Sequence, residues 1–484
     1  MTSKPDRKKT GQIDVVSPFD LHLIATLPLQ SAADAEGMLA TATRLAQDRD
    51  CWLEVDERIA ILQKLSDLVA AEADAFARLI AAEGGKPLRD ARVEVSRAVD
   101  GIGLAVRELL RVMRGEEIPM GHTAATRGRT AFMVCEPIGV VLAISAFNHP
   151  LNLIVHQVIP AVAVGCPVII KPALTTPLNC LRLCELLQQA GLPEGWCQPI
   201  VCDNEVSEQL ATDPRLAFLT FIGSAKVGWS LRAKLAPGVR CALEHGGAAP
   251  VIIDETADLD QVIPSLLKGG FYHAGQVCVS VQRVFASVAL ARDLAEQLAA
   301  GAAQLVVGDP MEEITDVGPL ILPREVARVH TWVEAALAGG AEQLTGGEAL
   351  GETLYRPTVL YDPPADALVS TAEIFGPVVC VYPYQDRCEA IRRANSLDVA
   401  FQAAVYSNDL EMAFDSARRL DAAAVMINDH TAFRADWMPF AGRRTSGYGV
   451  GGIGYTMRDM LQDKLIVLKS ISADGGSTQD SPCG

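Results

Sequence analysis

The protein has 484 residues, a formal net charge of −17, 49% hydrophobic residues and 21% charged residues. This composition is typical of a folded globular protein, and the length predicts two or three domains. The acidic balance argues against nucleic acid and anionic membranes as main partners, because both require a basic face.

Twelve cysteines are scattered along the chain without a C-x-x-C pair, and the pairs Cys180/Cys184 and Cys197/Cys202 lack nearby histidines at metal-site spacing. We therefore expect free thiols and no metal site. The basic N-terminal residues are not followed by an apolar segment, and no run of about 18 apolar residues occurs. These features predict neither a secretory signal nor a membrane span, and they favour a reducing, cytoplasmic location.

The first elements predicted along the chain are helices. Apolar residues at helical spacing predict one helix over 54–83, stopped by Gly84 and Gly85, and a second over 88–113. The segment 119–137 is rich in Thr and Arg and predicts a protruding arm. Both ends of the chain are polar and predict tails.

From residue 138 onward, short apolar runs alternate with amphipathic stretches. The amphipathic stretches lie at about 151–164, 178–190, 204–212 and 225–235. Strand alternating with helix predicts a parallel sheet with right-handed crossovers. A second α/β set begins near residue 250 and extends past the strand-like run "AAAVMIND".

Two segments place small or basic residues where a predicted strand ends. In "FIGSAKVG", Gly223 and Ser224 lie at a strand-to-helix junction and Gly228 follows one turn later, so the backbone could approach a phosphate. In "IIKPALTTP", Lys171 lies at the carboxyl end of a buried strand and could bind ribose hydroxyls. A plain turn and a solvated lysine are the alternatives.

Three further segments carry a carboxylate, an amide and a thiol. Glu244 ends a strand in "LEHGGAAPVII" and is either a general base or a surface glutamate. Asn148 in "ISAFNHPLNL" precedes a helix and either donates to an oxyanion or caps the helix. Cys278 in "FYHAGQVCVS" follows a glycine, and its apolar neighbours alone favour a small buried hydrophobe.

Seven segments along residues 12–470 occur in the order typical of one family: "AFNHP", "KPALTTP", "FIGSAKVG", "EHGGAAP", "GQVC", "EIFGPVV" and "PFAGRRTSGYG". In these segments the chain resembles the aldehyde dehydrogenase superfamily. The resemblance implies an α/β fold with a Rossmann-like cofactor domain, an α/β catalytic domain and a small β oligomerisation arm. The implied ranges are 1–118 and 138–245 for the cofactor domain, 246–445 for the catalytic domain, and 119–137 and 446–484 for the arm and C-terminal tail.

The resemblance also implies catalytic roles. Cys278, 34 positions after Glu244, is similar to the family's thiolate nucleophile. Asn148, with the backbone N–H of Cys278, is similar to the oxyanion hole, and Glu244 resembles the base that activates water to cleave a thioester. The implied activity is NAD(P)-dependent oxidation of an aldehyde to a carboxylic acid. A CoA-acylating reaction is an alternative, although members of that type generally lack this glutamate.

NAD or NADP is the cofactor that the resemblance implies. Leu174 stands where many NAD-preferring members carry a glutamate that binds the ribose 2′-hydroxyl, and its absence removes one barrier to NADP. Six residues match the family's cofactor contacts: Lys171, Gly223, Ser224, Gly228, Glu373 and Phe375.

By resemblance, the substrate pocket is formed by the helix that follows "AFNHP" and the loop before "PFAG". These segments bring His156 and Arg434, and the helix before the arm brings Arg107. A guanidinium in this pocket would favour a small polar or anionic aldehyde through bidentate pairing. The alternatives are that the arginines pair with Asp436 or Glu108 at the surface, or that the substrate is a lactaldehyde-like hydroxyaldehyde.

Assembly is implied in the same way. The arm and a late strand near 464–470 match the family's oligomerisation domain. The match predicts a homodimer or homotetramer in which an arm extends a partner's sheet. The predicted partners are thus a small-molecule aldehyde and further copies of the chain, not nucleic acid or a membrane.

Overall fold

The computed structural model describes residues 11–470 and places most strands in two large sheets flanked by helices. The strands are β1 (Gln12–Val16), β2 (Leu23–Pro28), β3 (Glu116–Ile118), β4 (Arg129–Pro137), β5 (Val140–Ile144), β6 (Val168–Lys171), β7 (Cys197–Pro199), β8 (Leu216–Ile222), β9 (Arg240–Glu244), β10 (Ala249–Ile253), β11 (Val281–Ser287), β12 (Glu342–Thr345), β13 (Thr358–Tyr361), β14 (Val378–Tyr384), β15 (Val399–Ala400), β16 (Gln402–Tyr406), β17 (Ala424–Ile427), β18 (Arg443–Arg444), β19 (Gly447–Tyr448) and β20 (Leu461–Lys469). The helices are α1 (Ala32–Gln47), α2 (Val55–Ala71), α3 (Ala73–Gly84), α4 (Leu88–Val112), α5 (Asn152–Val164), α6 (Leu178–Ala190), α7 (Asn204–Ala211), α8 (Ala225–Lys234), α9 (Leu259–Phe271), α10 (Ala291–Gln304), α11 (Pro323–Ala338), α12 (Leu368–Thr371), α13 (Arg387–Ala394), α14 (Leu410–Arg419) and α15 (Ile453–Asp459).

A six-stranded sheet in the order β19-β9-β8-β5-β6-β7 forms the first α/β unit. Its strands are parallel except β19, which pairs antiparallel with β9. β5 reads VVLAI and is buried along its whole length, which is typical of a parallel strand covered on both faces. Because β5, β8 and β9 are parallel, their carboxyl ends meet at one edge of the sheet, next to Asn148, Gly223 and Glu244.

A seven-stranded sheet in the order β12-β13-β14-β11-β10-β16-β17 forms the second unit. It is parallel except for the edge pair β12 and β13. Helix α9 leads into the turn that carries Cys278, and β11 follows. The predicted α/β architecture with two strand–helix sets is confirmed.

The arm is a three-stranded antiparallel sheet in the order β20-β4-β3. Strand β4 pairs with β20 over its full length, from Pro137 opposite Leu461 to Arg129 opposite Lys469. The arm therefore begins at Glu116, before the predicted residue 119, and its late strand begins at Leu461, before the predicted residue 464. Strand pairing sets these limits, and composition does not reveal them. The predicted tails lie mostly outside the described residues, and the division of the chain into three domains stays a prediction.

The helix predicted over 54–83 is in fact two helices. Helix α2 ends at Ala71 and α3 begins at Ala73, and Glu72 between them has φ −99° and ψ 17°. The apolar spacing continues across this break without Gly or Pro, so periodicity alone predicts one helix.

None of the helices between residues 11 and 470 combines the length and apolar character that a bilayer crossing requires.

Candidate active site

A cavity of about 630 Å³ lies where the carboxyl edge of the first sheet meets loops of the second unit. Nine of the twelve predicted site residues line it: Cys278, Glu244, Asn148, Gly223, Ser224, Glu373, Phe375, His156 and Arg434. Lys171, Gly228 and Arg107 do not line it. The two units thus bring residues from distant parts of the chain together at one site.

Cys278 follows a strained turn between α9 and β11. His273, Ala274 and Gly275 all have positive φ, at 48°, 54° and 69°. This left-handed conformation is costly for residues other than glycine and is common where a fold positions a functional group. A Cβ on Gly275 would lie 2.2 Å from the carbonyl oxygen of Gly376, so the turn requires glycine there.

The fold alone does not activate the Cys278 thiol. Burial raises its pKa, as do the nearby carboxylates of Glu373 and Glu244, while the Arg434 guanidinium opposes this shift. Cys278 is therefore a thiol at neutral pH, and nucleophilic attack requires a group in the cavity that accepts its proton.

Asn148 lies in the loop between β5 and α5 and is tied to the turn that carries Cys278. Its Nδ2 donates to the carbonyl oxygen of Gln276 at 2.9 Å. The side chain of Gln276 is itself fixed, since Nε2 donates to Pro319 O at 3.1 Å and Oε1 accepts the N–H of Ile321 at 2.9 Å. A primary amide has a second N–H, which can donate to a substrate oxygen.

Glu244 ends β9 with its carboxylate against Gly451. A Cβ at position 451 would lie 2.0 Å from Glu244 Oε1, so glycine leaves room for this carboxylate. Burial raises the pKa of Glu244 to about 7, and the Arg434 guanidinium opposes the shift. A carboxyl group that is about half ionised at neutral pH suits a general base.

The turn between β8 and α8 is supported from behind by a histidine. His245 Nδ1 lies 2.9 Å from the carbonyl oxygen of Gly223, and the His245 ring lies 2.0 Å from where a Cβ on Gly228 would be. Gly228 is thus glycine because it packs on His245, not because it lines the cavity. Ser224 is the N-cap of α8 and uses no side-chain hydrogen bond for the cap.

Two further candidate cofactor residues are Glu373, in the cavity wall, and Lys171, which is buried beside the cavity. Burial raises the pKa of Glu373 to about 8, and its Oε1 is buried and has no hydrogen-bond partner among the described residues. Such an oxygen fits a ribose hydroxyl, which would supply the missing donor. Lys171 ends β6, two residues before the cavity-lining Ala173, and burial lowers its pKa.

The cavity also holds a cation, Arg434, that forms no ion pair with the residues between 11 and 470. The Arg434 guanidinium lies 3.8 Å from the centroid of the Phe440 ring, and its Nη1 is buried with no hydrogen-bond partner in the part of the chain that the structure describes. Burial lowers the pKa of Arg434 to about 10, so the group stays charged at neutral pH. A buried guanidinium with an unpaired donor fits an anionic ligand.

Asp436 pairs with a different arginine, Arg97 of α4, which the sequence analysis missed. Arg97 lines the cavity and donates to both oxygens of Asp436, at 2.7 and 3.1 Å. His156 Nε2 lies 2.8 Å from Asp436 Oδ1. Although burial opposes it, the bonds from His156 and Arg97 hold the pKa of Asp436 well below its usual range. The alternative that Arg434 pairs with Asp436 is therefore wrong.

Arg107 is exposed on α4 and is not brought to the cavity. It lies ten residues after Arg97, which is about 15 Å further along the helix and on another face. Glu108 beside it pairs with Arg111 at 2.5 Å. The sequence carries no motif around Arg97, and helical periodicity does not indicate which turn of α4 reaches the cavity.

Comparison with known proteins agrees with this site. Residues 5–466 match the aldehyde dehydrogenase family. The chain is 37% identical over 414 residues to a 3-sulfolactaldehyde dehydrogenase of Priestia aryabhattai, covering 85% of this chain and 86% of the relative. It is 33% identical over 461 residues to a lactaldehyde dehydrogenase of Methanocaldococcus jannaschii, covering 94% and 97%.

Among solved structures, aldehyde dehydrogenase 21 from Physcomitrella patens, in complex with the reaction product succinate, superposes with a TM-score of 0.91. It is 34% identical, and the match covers 97% of each chain. Other solved relatives are complexed with NADP. The chain belongs to the aldehyde dehydrogenase family and is an oxidoreductase that oxidises aldehydes with NAD or NADP.

Proposed function

We propose that Cys278, Glu244 and Asn148 are the catalytic residues of this oxidation. The observation that supports it is that a thiol, a carboxyl group with a pKa of about 7 and an amide line one cavity. The cofactor-binding residues of the proposal are Lys171, Gly223, Ser224, Glu373 and Phe375, and Gly228 contributes by packing on His245 behind their turn. When bound, NAD(P) supplies the hydride acceptor.

In the proposed reaction, the Cys278 thiol loses its proton to a base in the cavity and Sγ bonds to the aldehyde carbon. The carbonyl oxygen becomes an oxyanion, which Asn148 and the backbone N–H of Cys278 stabilise; one such donor contributes about 100- to 1000-fold in rate. Loss of the aldehyde hydrogen with its electron pair leaves a thioester on Sγ. Glu244 then takes a proton from water, the resulting hydroxide attacks the thioester, and the S–C bond breaks to release the acid.

We also propose that the substrate is a small aldehyde with an anionic group, bound by Arg434. Two arginines line the cavity, and Asp436 neutralises Arg97 but not Arg434. The three carboxyl groups that line the cavity, Glu244, Glu373 and Asp90, all have pKa values that burial raises, so they carry reduced negative charge. The name of one relative indicates a sulfonate-bearing aldehyde, and a solved relative holds a dicarboxylate product.

Changing Arg434 to Gln is expected to lower kcat/KM for an aldehyde with a terminal carboxylate or sulfonate by about 10- to 100-fold, the usual loss of a charge-assisted hydrogen bond. The kcat/KM for a neutral aldehyde of equal length should change little. Initial rates of NAD(P)H formation with both substrates measure this ratio. Arg107→Gln is the matched control, because Arg107 is exposed and should leave both values unchanged.

An equal loss for both aldehydes would contradict anion recognition by Arg434. A wild-type protein that prefers a neutral hydroxyaldehyde would favour the alternative substrate, lactaldehyde, which the name of another relative indicates.

The assembly proposed is a homodimer or homotetramer formed through the arm. Strand β20 lies at one edge of the arm sheet and exposes Leu465, Val467 and Leu468, so its edge can pair with another chain. Light scattering on the eluting protein is expected to give a mass of two or four chains, and a monomer would contradict the proposal. A cytoplasmic location stays a prediction.

A further inference from the structure

The N-terminus of α5, just after Asn148, is capped by a carboxylate from another helix. The N-cap residue of α5, Leu151, offers no side-chain hydrogen bond. Instead, Glu94 of α4 accepts the backbone N–H groups of Leu151 and Asn152 on one oxygen, Oε1, at 3.0 Å each. An anion at this position also interacts favourably with the helix dipole.

A buried lysine holds this carboxylate in place. Lys86 Nζ donates to the other oxygen, Glu94 Oε2, and both side chains are inaccessible to solvent. A buried ion pair is weak evidence for stability, since its desolvation cost offsets much of its attraction. Unlike the side chains of a surface ion pair, the two buried side chains are held in one geometry. Glu94 therefore has one oxygen on Lys86 and one on the backbone of α5.

We propose that the Lys86–Glu94 pair positions the oxyanion site: by fixing the start of α5, it sets the place of the Asn148 amide. Only His149 and Pro150 separate Asn148 from Leu151. On its other side, Asn148 is held by the bond from Nδ2 to Gln276 O at 2.9 Å. The inference rests on the proposed role of Asn148. Lys86 and Glu94 are positioning residues, since neither lines the cavity.

The chain contains a matched control for this arrangement. Glu83 of α3 also caps a helix, α6: its Oε2 accepts the backbone N–H of Leu178 at 2.8 Å, and its Oε1 accepts that of Asn179 at 3.0 Å. Both glutamates are buried, with exposed fractions of 0% for Glu83 and 1% for Glu94. The residues at the start of α6, however, do not line the cavity. Either Gln substitution perturbs a buried helix cap, but of the two glutamates only Glu94 bonds the backbone of the segment that follows Asn148.

The test compares two reactions of Cys278 in the full-length protein with Glu94→Gln. Aldehyde oxidation passes through an oxyanion, whereas alkylation of the thiol by iodoacetamide does not. Glu94→Gln is expected to lower kcat for oxidation about 10- to 100-fold, as a small misplacement of a catalytic group does, with KM for NAD(P) and the alkylation rate unchanged. Glu83→Gln should leave the ratio of oxidation to alkylation at the wild-type value.

A double variant and a charge-neutral variant complete the test. In Asn148→Ala, adding Glu94→Gln should cause no further loss, because the amide that Glu94 positions is already absent. Should Glu94→Gln fail to fold, Lys86→Met with Glu94→Gln leaves no unpaired buried charge and should show the same split between the two reactions.

Three results would each overturn the inference. Glu94→Gln could lower the rates of oxidation and alkylation equally, it could keep the wild-type kcat, or its loss could add to that of Asn148→Ala in the double variant. If Asn148→Ala loses activity while Glu94→Gln does not, the proposed function stands and only the positioning role fails. If Asn148→Ala itself retains full activity, the proposed oxyanion site fails first.

Discussion

Cys278→Ser is expected to abolish aldehyde-dependent NAD(P)H formation, lowering kcat by roughly 10,000-fold or more, as loss of a nucleophile does in other covalent enzymes. A serine hydroxyl is a far weaker acid than a thiol, so far less of it is deprotonated, and it is a far weaker nucleophile than a thiolate. Without Sγ no thioester can form, so NAD(P)H should appear neither in the first turnover nor in the steady state. Absorbance of NAD(P)H measures both.

Cys388→Ser is the control for this change. Cys388 is exposed on α13 and takes no part in the cavity, so its replacement should leave the rate unchanged. Cofactor binding to Cys278→Ser, followed by fluorescence, should remain, which shows that the cavity is intact. Wild-type oxidation by Cys278→Ser would show that another group is the nucleophile.

The part of the site built on the first sheet could be predicted from the sequence. Runs such as "VVLAI" and "AFLTFI" indicate parallel strands, and the residues that follow them must meet at the carboxyl edge. Gly223, Glu244 and Asn148 lie there in the structure. Cys278 belongs to the second unit, and no local pattern indicates that its turn faces that edge; only the resemblance did.

The ion pairs in and beside the cavity could not be predicted from the sequence. Lys86, Glu94 and Arg97 lie on or beside a helix rich in charges, and their ion pairs join residues 8 and 339 positions apart rather than neighbours three or four apart on one helix face. Glu94 is buried because α4 packs against α5, whose N-cap residue Leu151 has no side chain that could cap the helix. The sequence of α4 does not show this packing. Likewise Arg434 and Asp436 are two residues apart, and only the loop geometry decides that Asp436 pairs with Arg97.

Glu244→Gln is expected to separate the two halves of the reaction. An amide cannot take a proton from water, so the thioester on Cys278 should persist. The first turnover should release one NAD(P)H per active chain at a rate close to wild type. Steady-state turnover should then fall by about 100- to 10,000-fold, the contribution of a general base. Rapid-mixing measurements of this burst, with hydroxylamine to capture the acyl group as a hydroxamate, test both parts.

The pH profile adds an independent signature of the same residue. Because burial raises the pKa of Glu244 to about 7, its carboxylate is mostly protonated at pH 6 and mostly ionised at pH 8. Wild-type thioester hydrolysis should therefore rise with pH through about 7, and this rise should be absent in Glu244→Gln.

Glu373→Gln removes a second buried carboxyl group from the same cavity, one with a pKa of about 8, and so serves as the matched control. It should weaken cofactor binding and produce no burst, because Glu373 is not the proposed base. A Glu244→Gln protein without a burst would contradict the assigned role. If coenzyme A increases the rate of the wild-type protein and acyl-CoA is the product, the thioester is cleaved by acyl transfer instead of by water. Glu244 would then act in a different step.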